Sequence, residues 1–170
     1  MYLSGKLGSS PDDTNAYAAS MLFACDRYIS YRCDWKADCD DEDTVVIANR
    51  YTTSNALHQL SKLPREEWDG FIEWLFDFEF SKLSLPAPDT VIYLSVPTEL
   101  SMKSVAKRSE KTGQARDIHE LDRDYMSRSH MAGLYAADKL GWKIIDCADG
   151  NGSLRERQDI FEDIRSVLGI

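Results

Sequence analysis

The feature that most constrains the fold of this chain is the run Thr44-Val45-Val46-Ile47-Ala48, followed by Asn49-Arg50-Tyr51-Thr52-Thr53-Ser54. Its β-branched centre predicts a buried strand over 44–48. An amide, a guanidinium and then hydroxyl residues stand at its carboxyl end. In open α/β sheets, ligands sit beyond the carboxyl ends of the strands. A fixed fork of N–H donors at that place suits a phosphate.

The rest of the chain alternates in the same way. Residues 1–13 read as loop, punctuated by Gly5, Gly8 and Pro11. Thr14 or Asn15 can cap a helix to about Tyr31, with Ala18, Met21, Leu22, Cys25 and Ile29 facing inward. A helix follows from about Ser54. Another starts near Pro64 and runs to about Phe80, apolar enough to be buried on more than one side. Pro86-Ala87-Pro88-Asp89 introduces a second strand over 90–96. Thr98 can cap a helix to about Arg108. A long helix stops at Gly141, a third strand covers 142–146, and Ser153 caps the last helix. Strands alternating with helices predict a parallel sheet covered by helices, an α/β/α three-layer arrangement in one domain over 1–170.

Charge narrows the partners. The 20 basic and 29 acidic residues leave a net charge of −9, which argues against a broad nucleic-acid or membrane surface. The acidic run from Asp38 to Asp43 reads as a solvated loop, because a metal site wants spaced ligands on a shaped turn. Cys25, Cys33, Cys39 and Cys147 form no C-x-x-C pair, so a zinc site is not expected. Cys25 and Cys147 read as small core hydrophobes. With no apolar run long enough for a membrane span or a signal peptide, a reducing cytoplasm is the expected compartment.

Several segments, in order along the chain, resemble bacterial thymidylate kinases. They are Tyr2-Leu3-Ser4-Gly5-Lys6-Leu7-Gly8, residues 17–27 ending in Phe23-Ala24-Cys25-Asp26-Arg27, Asn49-Arg50-Tyr51-Thr52-Thr53-Ser54-Asn55, Leu85-Pro86-Ala87-Pro88-Asp89 and Ala136–Trp142. The resemblance implies a P-loop-kinase-type fold that transfers the γ-phosphoryl of ATP to dTMP, with Mg²⁺ accompanying ATP, in a homodimer formed through helices that include the one at 15–31. Phe23 and Arg27 are four apart and share a helix face, so the ring can stack on a pyrimidine while the guanidinium grips its phosphate. The plain alternative is a core Phe beside a surface Arg. By resemblance, Arg50 contacts phosphoryl oxygens, and Ser54, Asn55 and Tyr125 line the nucleotide pocket. Tyr51 suits either the pocket or the core, and His58 reads as a pocket-wall residue rather than a catalyst. The segment from Lys107 to Glu120 resembles the lid over the ATP phosphates. It gathers Lys107, Arg108, Lys111 and Arg116, which suits charge stabilisation in phosphoryl transfer, with Gly113 as a hinge. A merely solvated loop is the alternative there.

Two departures stand out. The phosphate-loop pattern G-x-x-x-x-G-K-S/T is absent, since the only Gly-Lys pair, Gly5-Lys6, is followed by Leu7. In the family the first strand lies between those represented here by 44–48 and 90–96. The expectation is therefore an amino-terminally truncated reading of a longer protein, with Met1 an internal methionine and the central first strand missing. Asn49 stands where the family has an Asp near Mg²⁺, so no metal ligand is expected in this chain, and useful ATP turnover is not expected from it alone. The alternatives are a non-catalytic paralogue that binds nucleotide or a kinase subunit, and a kinase for another nucleoside monophosphate.

Overall fold

The computed structural model describes residues 3–4, 6–113 and 118–170, and they divide into two compact units, 14–89 and 1–13 with 90–170. In the first unit, α1 (Ala16–Ser30) starts at Asn15, whose side-chain oxygen accepts the Ala18 N–H at 2.8 Å. Of the two caps expected from sequence, Thr14 and Asn15, it is Asn15 that serves. α1 runs on through a wide π-type turn (Tyr31–Trp35) into α2 (Lys36–Cys39). The short α3 (Thr53–His58) and a 3₁₀ turn (Leu60–Lys62) follow. Next come a second 3₁₀ turn (Arg65–Glu67), α4 (Trp68–Phe76) and a π-type turn (Asp77–Lys82).

α4 anchors the core of this unit. Phe71, Ile72 and Leu75 are buried, and Tyr17, Trp74 and Phe78 surround them. The Tyr17 ring meets Phe71 and Trp74 edge-on, at 5.3 and 4.7 Å between centroids, and Trp74 stacks on Phe78 at 5.4 Å. Such arrangements favour aromatic quadrupoles as well as burying area. The expectation that this helix is buried on more than one side is not met: Phe71, Ile72 and Leu75 share one face, and Glu73 and Asp77 on the opposite side are exposed.

Two further expectations fail here. Residues 44–48 form no strand: Val45 and Ile47 are 83% and 82% exposed. β-branched residues favour a strand only where a neighbour completes the hydrogen-bond ladder and covers a face. Among the described residues nothing pairs with this segment. The inward face of α1 is also not the expected one. Met21, Leu22, Cys25 and Ile29 are exposed, while Ala16, Ala19, Ser20 and Ala24 are buried. Both stripes recur at helical spacing. The small side chains let neighbouring elements approach closely, and that stripe is the one covered.

In the second unit, β1 (Ile92–Ser95) is followed by α5 (Thr98–Thr112), α6 (Ile118–Leu121), α7 (Arg123–Leu140), β2 (Lys143–Asp146) and α8 (Arg157–Leu168). β1 and β2 pair in parallel, Ile92 opposite Lys143 through Ser95 opposite Asp146. The crossover between them contains α7, which packs on β1. Gly141 (φ +67°) ends α7 in the left-handed region, as expected. Asp122 caps its start by accepting the Tyr125 N–H at 2.9 Å. Cys147, just past β2, is buried as expected. The sheet thus has two strands among the described residues, where three were expected; the one lost is 44–48. α5 extends to Thr112, about one turn beyond the expected end, because Gly113 (φ +68°) supplies the left-handed stop.

Candidate functional site

The expected substrate-side residues other than Tyr125 fall in the 14–89 unit. Arg27 and Phe23 lie one turn apart on α1, both half-buried, so the shared face expected from their spacing is present. Arg50 adopts the left-handed conformation at φ +71°. This is a costly geometry for a residue with a Cβ. It turns the chain sharply: Asn49 and Arg50 stay exposed, and Thr52, two residues on, is fully buried. The Tyr51 hydroxyl donates to the Pro86 carbonyl at 2.8 Å. Burial pushes the Tyr51 phenol well above its ordinary range, with the nearby Arg27 cation offsetting part of the effect. α3 then opens with Ser54 half-buried and Asn55 buried.

At the centre is a residue that the sequence reading passed over. Glu79 is fully buried, in the π-type turn after α4. Its Oε2 accepts from Arg27 Nε at 2.7 Å and from Thr52 Oγ1 at 2.7 Å. Its Oε1 accepts from Arg27 Nη2 and Asn55 Nδ2, both at 3.2 Å. The Arg27 guanidinium also lies over the Tyr51 ring, 5.3 Å from its centroid. One carboxylate therefore ties together α1, the turn after Arg50, and α3. A sequence signal existed. Glu79 continues the Phe71–Leu75 stripe at a spacing of four, flanked by Phe78 and Phe80, where an acid has to find donors.

Arg50 is outside this cluster. Its Nη2 meets His58 Nε2. In the other unit, Lys107, Arg108 and Lys111 are exposed along the last turns of α5, and Arg108 pairs with Glu120. Arg116 lies outside the described residues. Tyr125 is buried at the start of α7 against His119, with ring centroids 4.7 Å apart. An open cavity of about 380 Å³, lined by residues that include Ser9, Pro11, Asp122 and Arg123, contains none of the expected site residues.

Among the described residues, no group of three or more His, Cys, Asp or Glu side chains could hold a metal ion. The donor set around Asn49 does not fit a resident Mg²⁺: a neutral, exposed amide is followed directly by a guanidinium. No helix among the described residues is long and apolar enough to cross a membrane.

A parallel strand pair joined by a helical crossover defines an α/β protein. The family described as Thymidylate kinase matches residues 9–157 of this chain. Thymidylate kinases from two strains of Mycobacterium tuberculosis are each 32% identical to it over 117 residues, covering 68% of this chain and 54% of the relative. The chain belongs to the thymidylate kinase family. It spans about half the length of the curated relatives it matches.

Proposed function

We propose that this chain carries the monophosphate-binding part of a dTMP kinase, one that moves the γ-phosphoryl of ATP onto a phosphate oxygen of dTMP to give dTDP and ADP. The observation that carries the reading is the Phe23–Arg27 face of α1, with Arg27 braced by Glu79 next to Asn55. Phe23 stacks on the thymine ring. Arg27 grips the phosphate through charge-assisted hydrogen bonds, and Ser54 and Asn55 line the nucleotide pocket. Arg50, Lys107, Arg108, Lys111 and Arg116 neutralise charge on the transferred phosphoryl group. In such reactions positioning and electrostatics do most of the catalysis. Residues 1–170 act as a single kinase domain, with about 107–120 as its lid. Mg²⁺ arrives with ATP, and the residues around Asn49 do not fit it. The exposed Met21, Leu22 and Ile29 on α1 support homodimer formation through that face.

Calorimetric titration with dTMP, dUMP and CMP tests the reading. dTMP is expected to bind best, and the phosphate-loop pattern being absent from the 170 residues, ATP turnover by this chain alone is expected to be undetectable. Equal affinity for all three nucleotides would refute the dTMP assignment and favour a kinase for another nucleoside monophosphate. The neutral, exposed amide of Asn49 favours a second reading, a non-catalytic member that binds nucleotide or a kinase subunit. Tight dTMP binding without turnover in the presence of a catalytic partner would support it.

A further inference from the structure

Arg50 stands exposed on a backbone that its neighbours hold in a strained conformation. A φ of +71° is costly for a residue with a Cβ and persists only where the surroundings over-determine it. The residues that follow supply that constraint. The Tyr51 hydroxyl donates to the Pro86 carbonyl at 2.8 Å, and the Thr52 hydroxyl donates to buried Glu79 at 2.7 Å. The Ser54 and Asn55 N–H groups close back on the Tyr51 and Thr52 carbonyls, both at 2.9 Å, at the start of α3. Tyr51 and Thr52 thus fix the direction in which the Arg50 side chain leaves the backbone.

The far end of that side chain is held as well. Arg50 Nη2 meets Nε2 of His58, the last residue of α3. His58 lies one turn after Ser54 and shares its helix face. The nature of the partner decides what is left for a ligand. Arg27 is met by the carboxylate of Glu79, whereas among the described residues no carboxylate pairs with Arg50. An imidazole carries no negative charge in either protonation state, so it can orient a guanidinium without offsetting its charge. The contact engages Nη2 alone, and Nε and Nη1 have no protein partner among the described residues.

We propose that His58 is a positioning residue for the phosphate of the bound nucleotide: an accepting Nε2 aims the Arg50 guanidinium before the ligand arrives and leaves its charge and remaining donors for the phosphoryl oxygens. The inference rests on the reading of Arg50 as the residue that contacts those oxygens. It assigns His58 no contact with the ligand. Ordering a long, rotamer-rich side chain in advance removes a cost that binding would otherwise carry. The effect therefore appears as selectivity for the phosphorylated ligand over the bare nucleoside.

The test titrates dTMP and thymidine against the wild-type chain, Arg50→Ala, His58→Phe, His58→Gln and the double variant Arg50→Ala with His58→Phe, with near-UV circular dichroism to establish folding. The ratio of dTMP to thymidine affinity cancels changes in the base pocket and losses of general stability. Arg50→Ala is expected to lower the ratio at least about tenfold, the scale of one charge-assisted hydrogen bond. His58→Phe keeps a ring but has no acceptor, and is expected to lower the ratio about fivefold, the scale of ordering one long side chain. His58→Gln offers an amide oxygen in place of Nε2 and is expected to stay within about twofold of wild type. Once Arg50 is Ala, adding His58→Phe is expected to change the ratio by less than about 1.5-fold, because the brace has nothing left to hold. His58→Leu, also without an acceptor, replaces the Phe variant if that one does not fold. A folded Phe or Leu variant that keeps the wild-type ratio, while Arg50→Ala lowers it, would overturn the role of His58 alone. So would a Gln variant as weak as the Phe variant, or an undiminished loss from His58→Phe in the chain that lacks Arg50. A wild-type preference for dTMP that Arg50→Ala leaves intact would overturn the reading of Arg50 and this inference with it. A wild-type chain with no preference for dTMP would overturn the proposed function as well.

Discussion

The Arg27–Glu79 pair allows a decisive test of what holds the 14–89 unit together. Glu79 is completely buried, and the Arg27 side chain is 13% exposed. Two unit charges about 4 Å apart attract by about 4 kcal/mol at an effective dielectric near 20. That attraction offsets much of the cost of removing both from water. Arg27→Met keeps the length of the side chain and removes the cation. The carboxylate then retains Thr52 and Asn55 but has no countercharge, and a single break of this kind costs about 3–5 kcal/mol. Glu79→Gln leaves the guanidinium uncompensated and turns an amide N–H₂ toward donors, at a cost near the lower end of that range, about 3 kcal/mol. The double variant removes both charges, while the Gln carbonyl still accepts from Thr52 or Asn55. It is expected to cost about 2 kcal/mol, less than either single change. Urea unfolding, followed by the fluorescence of Trp35, Trp68 and Trp74 in this unit, measures all three. With a slope of about 2 kcal/mol per molar, each single variant moves the midpoint by roughly 1.5–2.5 M. Single-variant losses that add in the double variant to within about 0.5 kcal/mol would refute the pairing.

Three further outcomes follow from the same packing. Leu75→Ala removes a fully buried side chain from α4 and is expected to cost about 2–5 kcal/mol in chemical denaturation; a loss under about 1 kcal/mol would contradict its core position. The double change Val45→Thr and Ile47→Thr is expected to alter stability by no more than about 0.5 kcal/mol, because both side chains stand in water. A large fall in melting temperature would instead restore a buried strand at 44–48. The raised phenol of Tyr51 gives a signed pH dependence. As pH rises past about 10 the unfolded chain releases this proton first, so it binds fewer protons than the folded chain and stability falls toward the folded pKa. Burial raises Tyr93 in the same direction. Tyr51→Phe should remove part of the alkaline fall between pH 8 and 10.5 in urea midpoints, and an undiminished fall would exclude Tyr51 as a source.

What sequence alone determined here is local chemistry and its spacing. The Asn15 cap, the stop at Gly141 and the strands at 92–95 and 143–146 each depend on a few adjacent residues, and they stand where expected. The Phe23–Arg27 pair was legible because a separation of four defines a helix face whatever surrounds it. The failures needed a partner distant in sequence. Residues 44–48 have the composition of a strand, but a ladder is a property of two chains side by side, and no neighbour is present among the described residues. α1 carries two stripes of helical period, and only tertiary contact selected the small one for burial. Glu79 lies 52 residues from Arg27, 27 from Thr52 and 24 from Asn55. Nothing local could reveal that its carboxylate joins three donor residues, because a buried charge is decided by which groups the fold brings to it.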